Sequence, residues 1–250
     1  IGGAFPPRHR GLVTDSVDRI VLERERVAKP LAVADAAEDI DVRRLPLLGK
    51  AVPGLEMKVV DPDTYEELPE RQVGELLLRG TSVTPGYYKR PDATTALFHD
   101  GWLCTGDLAY LVDGELVLCG RIKDVIIVGG RNVFPEDIER AIGVLPGVRA
   151  GNVIAFGVEG YKGKETVVVV AEVRLDDTDV AAAGAADDPA GAVRHAIHHR
   201  TLDVCGLPPR DVMLVRPGTL PKTSSGKLQR AKCRELYLGE ELELVEAPRA

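Results

Sequence analysis

The chain has 250 residues, of which 44% are hydrophobic and 28% are charged, a composition typical of a soluble globular protein. Its net charge of −7 disfavours non-specific nucleic-acid binding, which depends on basic surface. No apolar run approaches the roughly 20 residues that a transmembrane segment needs, and the first residues lack the features of a secretory signal. The length suits one large domain or two modest ones.

The four cysteines, Cys104, Cys119, Cys205 and Cys233, are scattered and form no CxxC pair. Thiols spaced in this way fit a reducing, cytoplasmic location better than a disulfide framework or a zinc site. The chain begins at Ile1 rather than Met, so we expect further residues before it.

The first 120 residues favour β structure after an irregular start. Leu12–Arg26 mixes apolar and charged residues, and its pattern is compatible with an extended strand pair or with a surface loop. The Asp113-Gly114 pair predicts a hairpin turn. The predicted strands are Glu56–Val60, Val73–Arg79, Trp102–Gly106, Ala109–Val112 and Glu115–Cys119.

From Arg121 onwards, helices and strands alternate. Pro135–Ile142 predicts a helix, with proline in its first turn, acids early and arginine late. Further predicted helices are Ala190–Leu202 and Lys227–Leu238, and further predicted strands are Asp124–Val128, Val148–Gly157, Thr166–Val173 and Asp211–Val215. Asp176–Pro189 is predicted to be a linker.

The predicted fold class is therefore α+β, with two domains. Residues 1–120 would form the β-rich end of a larger domain, and residues 121–240 a small α+β domain of ordinary size. Residues 241–250 would form a frayed tail.

Thr105-Gly106-Asp107 is the first segment whose residues suggest a chemical role. Glycine permits a tight turn, and one carboxylate can accept two hydrogen bonds from a ribose diol. By itself, the segment is more typical of a capped turn.

Gly120-Arg121-Ile122-Lys123-Asp124 is a charged stretch between two apolar strands. It suits a domain hinge from which Arg121 reaches a ligand. By itself, it could be a charged hairpin loop.

The loop Leu220–Arg230 contains Ser224-Ser225-Gly226-Lys227. It is not a Walker loop, because the preceding Gly218 is too distant and Leu228 follows the lysine. It would present Lys227 as a point charge that neutralises a carboxylate and an α-phosphate during attack. The alternative is a flexible basic loop.

Taken together and in order, these segments resemble the adenylate-forming superfamily, which includes acyl-CoA synthetases, fatty acyl-AMP ligases, peptide-synthetase adenylation domains and luciferases. The resemblance extends from about residue 45 to residue 235. It rests on Val73-Gly74-Glu75-Leu76, Gly86-Tyr87-Tyr88, Gly101–Asp107, Gly120–Asp124, Asn132–Glu139 and Pro221–Lys227.

The resemblance implies a role for each matching residue. Asp107 and Arg121 would contact the ribose of ATP, and Lys123 would be the hinge about which the small domain rotates. Lys227 would be the catalytic lysine of adenylation, and Gly130 would lie in the loop that approaches the acceptor thiol. The family also uses Mg²⁺, whose ligands, like the phosphate loop, would lie upstream, so this chain alone is expected to be inactive.

Residues 1–47 and the Arg131–Glu139 segment resemble fatty acyl-AMP ligases in particular. The predicted function is activation of a fatty acid, or another carboxylic acid, to an acyl-adenylate and transfer to an acyl-carrier protein. An acyl-CoA synthetase, which uses coenzyme A, and a non-catalytic carrier-docking module remain alternatives. His195, His198 and His199 share one helical face, where a solvated surface is favoured over a metal site.

Overall fold

The structure is a computed structural model that describes residues 3–32, 41–175 and 188–245. The chain divides into two compact units of mixed α and β structure, Ile1–Lys123 and Asp124–Ala250. Among the described residues, no helix has the length and apolar character needed to cross a bilayer.

The first unit consists mainly of short antiparallel strands. In chain order, its elements are β1 (Ala4–Phe5), β2 (Thr14–Asp18), α1 (Arg19–Glu25), β3 (Val42–Pro46), β4 (Lys50–Ala51), β5 (Leu55–Val60), β6 (Gly74–Gly80), α2 (Pro91–Thr95), β7 (Phe98–His99), β8 (Trp102–Val112) and β9 (Glu115–Arg121).

The main sheet of this unit has the order β5-β6-β8-β7, and β9 pairs with β8 further along. Strand β6 lies between β5 and β8, and its run Leu76-Leu77-Leu78 is buried on both faces. The two strands predicted over residues 102–106 and 109–112 are one strand, β8. They are continuous because β8 passes through a bulge rather than a turn.

Residues 12–26 contain strand β2, in keeping with the extended interpretation, followed by helix α1, which neither interpretation included. Asp18 caps α1, since its Oδ1 accepts a hydrogen bond from the Val21 N–H at 3.0 Å. Arg19 and Glu23 are paired at 3.0 Å with side chains only 5% and 0% exposed. The helix was missed because its buried face carries this ion pair, which breaks the apolar periodicity.

The second unit alternates strands and helices after a 3₁₀ turn at Ile122–Asp124. Its elements are β10 (Ile126–Val128), β11 (Arg131–Val133), α3 (Pro135–Ile142), β12 (Val148–Glu159), β13 (Glu165–Val173), α4 (Pro189–Cys205), β14 (Asp211–Val215) and α5 (Arg230–Leu238).

The sheet of the second unit has the order β12-β13-β14, and β13 and β14 are parallel. Odd-numbered valines of β13, such as Val167 and Val169, pack in the core beneath α3 and α4. Even-numbered Val168 and Val170 pack in a second core that includes Cys233 of α5. The run Val167–Ala171 of β13 is apolar because successive side chains point to opposite, covered faces.

Two predictions for the end of the chain need correction. Helix α5 begins at Arg230 rather than Lys227, because Leu228 instead forms a β-bridge with Lys222. Within the described residues, the segment after Glu240 is not frayed throughout, since Leu244 pairs with Val215 and the Val245 N–H donates to the Leu214 carbonyl at 2.8 Å. Residues 246–250 and residues 176–187 of the predicted linker lie outside the described residues.

Candidate functional site

The Thr105-Gly106-Asp107 segment forms a bulge in the middle of β8. Cys104 pairs with Leu77 and Leu108 pairs with Glu75, so three residues of β8 face Leu76 alone. Gly106 adopts a φ of +71°, a conformation that side-chain-bearing residues rarely adopt. The bulge redirects the strand immediately before Asp107.

Three hydrogen bonds hold the bulge in place. The Thr105 hydroxyl donates to the Leu76 carbonyl at 2.7 Å and accepts from the Asp107 N–H at 3.0 Å. The Gly106 N–H donates to Glu75 Oε1 at 3.0 Å. Glu75 is a buried carboxylate directly before the apolar run Leu76–Leu78, a signal in the sequence that could have assigned it this supporting role.

Asp107 and Arg121 are brought together by the pairing of β8 with β9. They face each other in the strand register, and Arg121 Nε lies 3.0 Å from Asp107 Oδ1. Partial burial raises the pKa of the Asp107 carboxyl, and the neighbouring guanidinium offsets part of that increase. Within the described part of the chain, Arg121 is its only charged partner, which leaves acceptor capacity for a ligand's hydroxyl groups.

Gly130 lies at the tip of the β10–β11 hairpin. Gly129 and Gly130 form a two-residue turn with φ angles of +59° and +78°, as a type I′ turn requires. A Cβ atom added at Gly130 would meet no atom within 4 Å. The loop therefore has a defined backbone and free space at its tip. Lys123 lies in the 3₁₀ turn that precedes this hairpin.

Lys227 ends a closed turn. The Gly226 N–H donates to the Thr223 carbonyl at 2.9 Å, and the Thr223 N–H donates to the Lys227 carbonyl at 2.8 Å. The Lys227 N–H also donates to the Thr223 hydroxyl at 3.1 Å. This segment is therefore a hydrogen-bonded hairpin rather than a flexible loop. Lys227 is exposed, and no ion pair engages its ammonium group among the described residues.

The beginning of this hairpin is attached to the sheet of the second unit. Lys222 Nζ donates to Asn152 Oδ1 at 2.6 Å. The Leu220 N–H donates at 3.1 Å to Glu172, a fully buried carboxylate that also pairs with Arg149. These contacts place Lys227 on a supported element, which suits a side chain that must meet a reacting group.

The predicted site residues are thus divided between the two units. Asp107, Arg121 and Lys123 belong to the first, and Gly130 and Lys227 belong to the second. Of these, the structure brings Asp107 and Arg121 into direct contact.

The described residues contain no group of three or more histidine, cysteine or acidic side chains arranged to hold a metal ion. The His195 and His199 rings lie 4.3 Å apart, but the described part of the chain supplies none of the further ligands that a metal site needs. The residues that the structure describes therefore do not form a magnesium site. None of the four cysteines forms a disulfide, and burial raises the pKa of Cys233 to about 12, which disfavours its reactive thiolate.

The order of these motifs, with Asp107 and Arg121 in the first unit and Lys227 in the second, matches that of adenylate-forming enzymes. The sequence profile described as AMP-binding enzyme matches residues 28–88. The chain belongs to this family of AMP-binding, adenylate-forming enzymes, as the sequence motifs predicted.

Two curated relatives and one solved structure illustrate the similarity. A putative ligase of Mycobacterium tuberculosis is 39% identical over 91% of this chain and 39% of its own length. The medium-chain-fatty-acid–acyl-carrier-protein ligase JamA of Moorena producens is 35% identical over 90% of this chain and 38% of its own length. A structure from a study of fatty acyl-adenylate ligases of E. coli and L. pneumophila is 30% identical, with a TM-score of 0.77 over 95% of this chain and 40% of that chain.

The chain therefore spans about two fifths of the length of the curated relatives that it matches.

Proposed function

We propose that the protein containing this chain uses ATP to convert a carboxylic acid into an acyl-adenylate. The observation that carries the proposal is the bulge that presents Asp107 next to Arg121. The Asp107 carboxylate would accept hydrogen bonds from the ribose hydroxyls of ATP, and Arg121 would donate to the same sugar. Membership of the AMP-binding enzyme family supports this assignment.

Lys227 is the catalytic residue of the proposed reaction. The substrate carboxylate attacks the α-phosphorus of ATP, an acyl–phosphate bond forms, and pyrophosphate leaves. In the transition state of this attack, negative charge is concentrated between the carboxylate and the α-phosphate, where an unpaired ammonium group stabilises it. The exposed Lys227, without an ion pair among the described residues, is available for that task.

The second half of the proposed reaction passes the acyl group to a thiol. Residues 1–120 would belong to the large AMP-binding domain, and residues 121–240 would form a small domain that rotates about Lys123. Rotation would bring the Gly130 loop towards the acceptor, where its free space admits a thiol-bearing arm. The thiolate attacks the acyl carbonyl carbon, and AMP leaves.

For the substrate we propose a fatty acid, and for the acceptor an acyl-carrier protein. The name of the relative JamA supports both choices, and the similarity to a fatty acyl-adenylate ligase structure supports the first. Asp107, Arg121 and Lys227 are all present, which favours a ligase over a non-catalytic docking module.

The experiment that tests this proposal uses the full-length protein with ATP, Mg²⁺ and a panel of fatty acids, with products identified by mass spectrometry. Parallel reactions contain coenzyme A, an acyl-carrier protein, or neither. Acyl-adenylate that persists with coenzyme A but is consumed by the carrier protein supports the proposal. Acyl-CoA would make the protein a conventional synthetase, and the absence of any acyl-adenylate would refute the enzymatic function.

A further inference from the structure

Arg230, three residues after Lys227, is the first residue of α5 and binds several groups of the second unit at once. Its Nε donates to the Ala155 carbonyl oxygen at 3.0 Å, and its Nη2 donates to Glu139 Oε1 at 2.9 Å. Its Nη1 pairs with Asp124. The side chain is only 18% exposed, so these contacts are largely shielded from water.

The partners of Arg230 come from three separate parts of the second unit. Asp124 ends the 3₁₀ turn, Glu139 lies on α3 together with a more distant partner, Glu136, at 3.4 Å, and Ala155 lies on β12. Glu139 Oε1 also accepts the Ala155 N–H at 3.0 Å. One planar guanidinium thus joins the turn, the helix and the sheet, a geometry that lysine cannot reproduce.

Arg234 is a second arginine on α5 and has far fewer partners than Arg230. It lies one turn further along α5, is exposed, and donates from Nε to the Gly157 carbonyl at 3.0 Å. Among the described residues, no carboxylate pairs with it. Attachment of α5 to β12 therefore needs only a carbonyl contact, and the three carboxylates around Arg230 require a further explanation.

We propose that Arg230 is a positioning residue for Lys227, an inference that rests on the proposed adenylation function. The Lys227 hairpin is held at its beginning by Lys222 and at its end by Arg230. Arg230 also fixes Asp124, the residue that follows the proposed hinge Lys123. The hinge end of the small domain and its catalytic lysine are thereby kept in one fixed geometry as the domain rotates.

The first test measures amide hydrogen exchange in the full-length protein with Arg230→Gln, and with Arg234→Gln as the matched control. The Thr223 and Gln229 amides report on the hairpin, since they donate to the Lys227 and Pro221 carbonyls at 2.8 and 2.9 Å. Arg230→Gln should accelerate their exchange, and the control should not. Unchanged exchange in Arg230→Gln would overturn the inference.

The second test measures acyl-adenylate formation by ATP–pyrophosphate exchange. Arg230→Gln should lower the rate by about 10- to 100-fold, as expected for a catalytic group displaced by roughly 1 Å. In a Lys227→Ala background, the same substitution should cause almost no further loss, because Arg230 acts through the lysine. A full, additive loss in that background would show that Arg230 acts elsewhere.

A fallback variant and an activity-independent measurement distinguish failure of this inference from failure of the proposed function. If Arg230→Gln fails to fold, Arg230→Lys retains the charge and should show the same changes with smaller amplitude, because it loses the multiple contacts of the guanidinium. A wild-type protein that forms no acyl-adenylate would refute the proposed function. The exchange measurement would still decide whether Arg230 holds the hairpin, because it does not depend on activity.

Discussion

At the scale of single residues, Lys227 differs from two nearby lysines, because its ammonium group has no hydrogen-bond or ion-pair partner among the described residues. Lys222 is engaged by Asn152, and Lys232 pairs with Glu235 at 3.2 Å. Lys227 shares neither kind of contact within the described structure and follows a turn closed by backbone hydrogen bonds. The turn is thus maintained without the lysine side chain, so the proposed catalytic role can be tested separately from folding at this position.

We predict that Lys227→Ala reduces acyl-adenylate formation by at least 100-fold, since it removes transition-state charge stabilisation. The free energy of unfolding should change by less than about 0.5 kcal/mol, as is usual for an exposed side chain without partners. Lys232→Ala is the matched control, and its rate should equal that of the wild type. Pyrophosphate exchange and thermal melting give both values, and wild-type-like adenylation by Lys227→Ala would refute the catalytic role.

The Asp107–Arg121 pair leads to a prediction about pH. Partial burial raises the pKa of Asp107, and Arg121 lowers it. Because only the ionised carboxylate accepts both ribose hydrogen bonds, nucleotide affinity should fall as pH drops through this pKa. Removal of the arginine should therefore raise the pKa of Asp107 further. The loss of ATP affinity on acidification should then occur at higher pH.

Arg121→Gln should thus show weaker ATP binding whose acid midpoint lies at higher pH than in the wild type. Calorimetric titration of ATP between about pH 4 and pH 8 measures this midpoint. Arg79→Gln removes an exposed arginine that pairs with Glu56 and should leave the midpoint unchanged. A midpoint that is the same in Arg121→Gln and in the wild type would refute the coupling.

At the scale of elements, the bulge of β8 and the hairpin of Lys227 use the same device. Each places a glycine of positive φ next to a residue of proposed function, Gly106 before Asp107 and Gly226 before Lys227. Side-chain hydroxyls then hold the turn, from Thr105 in the first case and Thr223 in the second. The functional side chain is in this way directed by its own local backbone.

Gly106→Ala tests this device, with Gly101→Ala as the control. Both glycines have a φ above +70°, and neither has an atom within 4 Å of an added Cβ. Each substitution should therefore destabilise the fold by about 1–2 kcal/mol through backbone strain alone. Only Gly106→Ala should weaken ATP binding, because only Gly106 precedes the proposed ribose acid. Equal ATP affinities in the two variants would contradict the role of the bulge.

At the scale of the whole molecule, the boundary between the compact units lies between Lys123 and Asp124. Lys123 is also the residue that the family resemblance implies as the hinge. A two-step reaction that uses Lys227 first and the Gly130 loop second needs a conformational change between the steps. A backbone position at a unit boundary can absorb such a change in dihedral angles.

We predict that Lys123→Pro lowers the rate of thioester formation more than the rate of adenylation, because proline fixes φ and restricts the hinge. Lys123→Ala retains backbone freedom and should keep the wild-type ratio of the two rates. Single-turnover assays of each half-reaction with the full-length protein provide this ratio. Normal transfer from acyl-adenylate to thiol in Lys123→Pro would refute the hinge assignment.

The sequence by itself determined the family and several elements of the second unit. The helix Pro135–Ile142 and the strand Asp211–Val215 have the predicted bounds, because their proline, charge and apolar signals are local. The motif order around Asp107, Arg121 and Lys227 was sufficient to indicate an adenylate-forming enzyme, since family motifs are read directly from residue identity.

Only the tertiary structure decided how the site is supported. The sequence left residues 12–26 ambiguous, because Arg19 of α1 is buried in a pair with Glu23 and also pairs with Asp41, 22 residues away. The bulge at Gly106 depends on Glu75, 31 residues earlier, and the network of Arg230 depends on Asp124, 106 residues earlier. Such contacts arise from strand register and packing between elements, which residue patterns of period 2 or 3.6 do not encode.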